Sequence, residues 1–70
     1  MCSINGITKN SPDVVTRMNE ATKHRGPDDT RVQAFGAVTL GFNRLAIIDV
    51  SERGMQPMTS NDGRYTIVFN

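Results

Sequence analysis

The chain has 70 residues, about the lower range for one self-sufficient domain, and a chain so short buries only roughly 60% of the surface it exposes when unfolded. Its 8 basic and 7 acidic residues are interspersed, for a net charge of +1, which argues against the clustered charge of a nucleic-acid or membrane-surface binder. A single cysteine excludes an intrachain disulfide and, with a single histidine, offers no zinc site, so no metal is expected and a reduced, cytoplasmic setting fits best.

The first residues, "MCSINGI", carry no basic stretch leading into an apolar core, and no apolar run approaches the ~20 residues needed to span a bilayer. They read as a short extended segment. Cys2 stands directly behind the initiator methionine, which is normally trimmed when the next residue is so small. Cys2 then bears a thiol and a free α-amine on one carbon. An α-amine titrates at about 7.7–8.0, so it can take the proton of its own thiol and supply a thiolate. The bland alternative is an incidental residue in a frayed terminus.

"NSPDVVTRMNEATKHRG" reads as a helix. Ser11 is the N-cap, Pro12 suits the first helical position and Asp13 suits the positive end of the dipole. Val14, Met18 and Ala21, with Val15 beside them, form the expected apolar face. Lys23, His24 and Arg25 crowd the last turn, and Gly26-Pro27 stops it. As a helix stop, "HRGPDD" needs no function.

"RVQAFG" and "AVTLGFNRLAIIDV" read as strands. The second is too long to be one flat strand unless Gly41 marks a bulge or bend, with "RLAIID" as an apolar half covered on both faces. Arg44 ahead of that run is by default solvated or paired; facing a pocket, its planar fork suits a carboxylate. "SERGMQPMTSNDG" is a loop whose methionines pack, closing in an Asn-Asp-Gly turn that returns the chain as "RYTIVFN" beside Met58. Tyr65, Ile67 and Phe69 point one way, Thr66 and Val68 the other. The side chain of Asn70 is a candidate oxyanion donor, a role worth about 2.7–4 kcal/mol of transition-state stabilisation. Because the sequence stops within a strand signal, and one helix cannot cover such sheets, the chain is expected to be the first piece of a longer α+β protein.

Taken together, "MC-S-I-NGI", "HRGPDD", "LGFNRLAIIDVSERGMQPM" and "YTIVFN" resemble the opening of the class II glutamine amidotransferases, most closely the glutaminase domain of the asparagine-synthetase branch. The resemblance spans essentially the whole chain. It implies an N-terminal nucleophile hydrolase fold, a four-layer αββα sandwich of which residues 1–70 are the N-terminal part. It implies hydrolysis of glutamine to glutamate and ammonia, feeding ATP-dependent amidation of aspartate to asparagine. Carried over by position, Cys2 is the nucleophile, Arg44 binds the α-carboxylate of glutamine, the backbone of Leu45, Ala46, Ile47 and Ile48 lines the pocket, and Asn70 is half of the oxyanion hole. The resemblance assigns no step to His24 or Arg25. No cofactor is implied within this segment; ATP and magnesium belong to a synthetase domain outside it. The implied partners are glutamine, the rest of the glutaminase domain, that synthetase domain and, in the full-length protein, a second copy as a homodimer.

Two features depart from the family pattern. Ser3 stands where glycine usually follows the nucleophile; a side chain there could crowd the turn or cost backbone freedom, and serine, being small, is expected to be tolerated. The glycine that supplies the second oxyanion donor and the aspartate that holds the glutamine amine lie beyond Asn70. The alternatives are a non-catalytic truncated or regulatory fragment, an amidotransferase acting on another acceptor, and, more weakly, a thiol-redox protein without a resolving cysteine.

Overall fold

The computed structural model describes residues 2–46 and 52–70. In chain order these form β1 (Ser3–Ile7), α1 (Pro12–Ala21), a 3-10 turn (Lys23–Arg25), β2 (Asp29–Phe35), β3 (Val38–Arg44), a second 3-10 turn (Glu52–Gly54), β4 (Met58–Thr59) and β5 (Thr66–Ile67). β1, β3 and β2 make an antiparallel sheet with β3 in the middle, and β4 pairs antiparallel with β5 in a second sheet. The class is α+β.

Pairing of β2 with β3 follows from Gly36, whose φ of +60° opens the two-residue turn between Phe35 and Val38. A positive φ at that first position twists the turn in the sense that the strands require. The register runs unbroken from Phe35↔Val38 to Asp29↔Arg44, and on the other side from Ile7↔Thr39 to Ser3↔Asn43. Gly41 therefore marks no bulge: it pairs with Asn5 and Val32 in step with its neighbours. Its missing side chain serves α1 instead, because a Cβ there would lie 2.5 Å from Asn19 Oδ1 and 2.6 Å from Val15 Cγ1. The strand also ends at Arg44, so Leu45 and Ala46 leave the sheet, and the rest of the apolar run, from Ile47 to Asp49, lies outside the described residues.

α1 begins as expected, with Pro12 in its first turn, Asp13 beside it and the Val15 N–H bonded to the Ser11 carbonyl at 3.3 Å. Ser11 makes no side-chain cap; its own N–H donates to Thr39 Oγ1 at 2.9 Å, so tying the helix start to β3 replaces capping. The buried face differs from the apolar reading. Val15 and Asn19 are buried, Val14 and Met18 only half-buried, and Ala21 is exposed. The helix ends at Ala21, so Lys23, His24 and Arg25 form a separate 3-10 turn. A polar contact surface explains the discrepancy. The sheet face under α1 carries Ser3, Asn5, Thr30 and Asn43, so Asn19 turns inward through hydrogen bonds while Val15 packs over Gly41.

Among the described residues the buried apolar side chains are Val15, Phe42 and Met55, the last bearing out the packing role expected of that loop. Buried polar residues include Ser3, Asn19, Thr39, Asn43, Arg44 and Gln56. β4 and β5 form the expected hairpin, with Met58 opposite Ile67 and Thr59 opposite Thr66. Burial alternates along "YTIVF": Tyr65, Ile67 and Phe69 are exposed, Thr66 and Val68 half-buried.

Candidate active site

Antiparallel pairing of β1 with β3 brings the chain start to the end of β3, with Ser3↔Asn43 as the last pair. Cys2 lies one residue further out and is half-buried. Its sulfur accepts the Leu45 N–H at 3.4 Å, and the Leu45 carbonyl is 3.9 Å from the same sulfur. Leu45 can reach it because the strand has just ended. A backbone N–H no longer committed to a sheet partner favours negative charge on the atom it faces.

Asn70 arrives from β5 and meets the backbone of Cys2. The donors and acceptors around its carboxamide assign the amide orientation: nitrogen toward the Cys2 carbonyl, to which it donates at 3.0 Å, and oxygen toward Arg25, accepting a guanidinium N–H at 3.0 Å. An amide carries two N–H donors, and the Cys2 carbonyl engages one of them. Arg25 thus enters the site as the group that orients Asn70, a role sequence reasoning did not assign. Its position in "HRGPDD" was the only signal, and it is shared with an ordinary helix stop.

Ser3 does not crowd the turn. It is buried, and its hydroxyl donates to Thr22 Oγ1 at 3.2 Å while accepting from Asn43 Nδ2 at 3.0 Å. Asn43 is fully buried; its Nδ2 also reaches the Asn19 carbonyl at 2.8 Å, and its Oδ1 accepts from Thr30 Oγ1 at 2.8 Å. Asn5 Nδ2 donates to Asn19 Oδ1 at 2.8 Å. No buried side-chain nitrogen or oxygen among the described residues lacks a partner. The residue after Cys2 is therefore anchored to helix and sheet through a fully satisfied network, which fixes geometry at low dielectric.

Arg44 is buried at the end of β3 and alternates onto the face away from α1. Its guanidinium packs against Gly54 in the second 3-10 turn, where a Cβ would collide with it. Of the expected pocket backbone, Leu45 meets the Cys2 sulfur and the Ala46 N–H donates to Asp28, whereas Ile47 and Ile48 lie outside the described residues. His24 is exposed. A hollow of about 260 Å³ between α1 and β2, lined by Thr16, Glu20 and Lys23 among others, lies apart from Cys2, Leu45 and Asn70. Among the described residues no group of three or more His, Cys, Asp or Glu could hold a metal ion, and no helix is long and apolar enough to cross a membrane.

Comparison with known proteins meets this geometry from another side. The glutamine amidotransferase domain family matches residues 1–70. A putative asparagine synthetase [glutamine-hydrolyzing] 2 of Methanocaldococcus jannaschii is 42% identical over 99% of the chain and 15% of its own length. Asparagine synthetase [glutamine-hydrolyzing] 1 of Bacillus subtilis is 37% identical over the whole chain and 12% of its own length. A probable asparagine synthetase [glutamine-hydrolyzing] of Acanthamoeba polyphaga mimivirus is 43% identical over 79% of the chain. The chain thus spans 12–15% of the length of the first two relatives. No solved structure matches it.

Proposed function

Because the chain belongs to the glutamine amidotransferase domain family, we propose that it is the N-terminal part of a glutaminase domain that releases ammonia from glutamine through Cys2. The observation that carries this reading is the convergence on Cys2 of two hydrogen-bond donors from distant parts of the chain, the Leu45 N–H and the Arg25-held Asn70 amide. The names of the relatives support asparagine formation as the use of the ammonia, and the family supports a four-layer αββα sandwich for the complete domain.

Removal of Met1 bares the α-amine of Cys2, which accepts the thiol proton. Sulfur attacks the side-chain amide carbon of glutamine, a C–S bond forms, and the carbonyl electron pair moves onto oxygen. One Asn70 N–H stays on the Cys2 carbonyl while the other donates to that oxyanion. Collapse breaks the C–N bond, the α-ammonium returns its proton to the leaving nitrogen, and ammonia departs from a glutamyl thioester. Water cleaves the thioester to glutamate and restores the thiol. Arg44 binds the α-carboxylate of glutamine through its two-pronged fork, and the backbone of residues 45–48 lines the pocket. Ammonia then serves ATP-dependent amidation of aspartate in a synthetase domain outside this chain, and no residue here is assigned to ATP or magnesium.

The test is made on the full-length protein. Intact mass should show Met1 removed, glutamate release from glutamine should vanish in Cys2→Ala, and ammonia-supported asparagine synthesis should persist in that variant. Glutamate release by Cys2→Ala, or by protein that retains Met1, overturns the mechanism.

A further inference from the structure

We infer that Asp28 is a positioning residue for the nucleophile: it brackets the chain at residues 44–46 and so holds the Leu45 N–H against the Cys2 sulfur. The inference rests on the reading of Cys2 as nucleophile and adds a group that the reading does not use.

Two hydrogen bonds carry it. The Asp28 backbone N–H donates to the Arg44 carbonyl at 3.0 Å, and its carboxylate Oδ2 accepts the Ala46 N–H at 2.7 Å. Between those anchors stands Leu45, whose N–H is the donor to Cys2 Sγ at 3.4 Å. β3 has ended at Arg44, so sheet pairing no longer fixes the Leu45 amide plane. A peptide plane one residue past a strand end is free to rotate unless both sides are tied. Asp28 ties both sides from a single residue, and the short carboxylate contact to a backbone N–H is of the charge-assisted kind.

The local sequence explains why Asp28 reaches. Gly26 passes so close to β3 that a Cβ there would lie within 2.5 Å of the Asn43 carbonyl carbon. Pro27 cannot donate a backbone hydrogen bond, so the first N–H after Gly26 is that of Asp28, and it meets the Arg44 carbonyl. Asp29 then opens β2 opposite Arg44, and its carboxylate accepts the Thr30 N–H at 2.8 Å, leaving the outward bracket to Asp28 alone. The neighbouring acidic residues are thus not equivalent.

The experiment uses the full-length protein with Asp28→Ala and Asp28→Asn. Cys2 is probed by its rate of alkylation with iodoacetamide at one fixed pH, without glutamine, alongside kcat and KM for glutamate release. Asp28→Ala should slow alkylation and lower kcat by about five- to tenfold, the scale of one lost charge-assisted hydrogen bond in a partly exposed site. Asp28→Asn retains an amide oxygen that accepts the Ala46 N–H, so it should lose less than about threefold in both. Alkylation of Asp28→Ala at the parental rate overturns the inference. So does an Asp28→Asn variant as impaired as Asp28→Ala, since charge rather than the bracket would then be at work. Hydrogen exchange on the parent protein keeps the test open if Asp28→Ala fails to fold: the Ala46 amide should exchange at least about tenfold more slowly than its intrinsic rate, and exchange at that rate sinks the bracket. A parent protein that hydrolyses no glutamine sinks the proposed function but leaves the alkylation and exchange readouts standing.

Discussion

The hydroxyl of Ser3 is one residue from the Cys2 sulfur, and its partners show how this stretch of chain is held. Asn43 donates to it and to the Asn19 carbonyl, both buried bonds, while accepting from Thr30. Asn43→Ala therefore strips several buried groups of partners at once and should cost about 3 kcal/mol in urea unfolding. Ser3→Ala removes one hydroxyl while Asn43 keeps its other acceptors, so about 1 kcal/mol is expected. Asn70→Ala should lower kcat for glutamate release by about a hundredfold or more with a smaller change in KM, because an oxyanion donor acts in the transition state. Arg25→Ala, which frees the Asn70 carboxamide to turn, should move the same parameter by about tenfold. Cys2, Arg44 and Asn70 were singled out through motif resemblance, and their roles belong to the proposed function. Asn43 was not, because a lone asparagine in a strand reads as an exposed position, and only the crossing of α1 over β3 makes it central.

At the scale of elements, close approach sets the cost of change. Gly41→Ala would push a Cβ against Asn19, whose side chain is pinned by Asn5 and by the Arg31 carbonyl and cannot retreat. A loss of about 1–3 kcal/mol is expected. Gly26→Ala presses on the backbone of Asn43 and Arg44 instead, which yields less readily than a side chain, so its effect on unfolding should be larger than that of Gly41→Ala. It should also slow alkylation of Cys2, by displacing Asp28 from Arg44. In the hairpin turn, the Ser60 hydroxyl and then the Arg64 N–H hold the Asp62 carboxyl below its usual value of 3.8. Stability from that turn is thus fully present above the ordinary carboxylate range and is lost as pH falls through the lowered value. Amide shifts of Gly63 and Arg64 followed by NMR should titrate below 3.8; titration above it would contradict the turn geometry. The β4–β5 hairpin was readable from its Asn-Asp-Gly turn, whereas Gly41 marks a close approach of α1 and not the expected bulge or bend. The inward face of α1 was not readable, because periodicity counts apolar residues and one of the two buried residues of this helix is Asn19.

Across the whole molecule the Cα atoms extend 31 × 30 × 14 Å, a plate little thicker than one sheet with one covering layer. Tyr65, Ile67 and Phe69 are 65%, 54% and 52% exposed in a row on one face of it. Contiguous apolar surface of this kind marks a place where further protein packs. The relatives are some seven to eight times longer than the part this chain matches, given coverage of 12–15% of their length. If residues 1–70 are the N-terminal part of a longer domain, as proposed, the row is interior there and surface only in the isolated segment. The two situations give opposite signs for one substitution. Ile67→Lys in the full-length protein would bury an unpaired ammonium in place of an aliphatic side chain, and should cost at least about 3 kcal/mol or abolish soluble expression. The same change in residues 1–70 produced alone would break an apolar patch at an exposed site, raising solubility and lowering binding of a hydrophobic dye with little stability cost. Parallel expression of both forms, with thermal unfolding of each, decides the matter. A full-length Ile67→Lys protein that unfolds at the parental temperature would leave the row exposed in the complete protein and remove the packing argument for the sandwich.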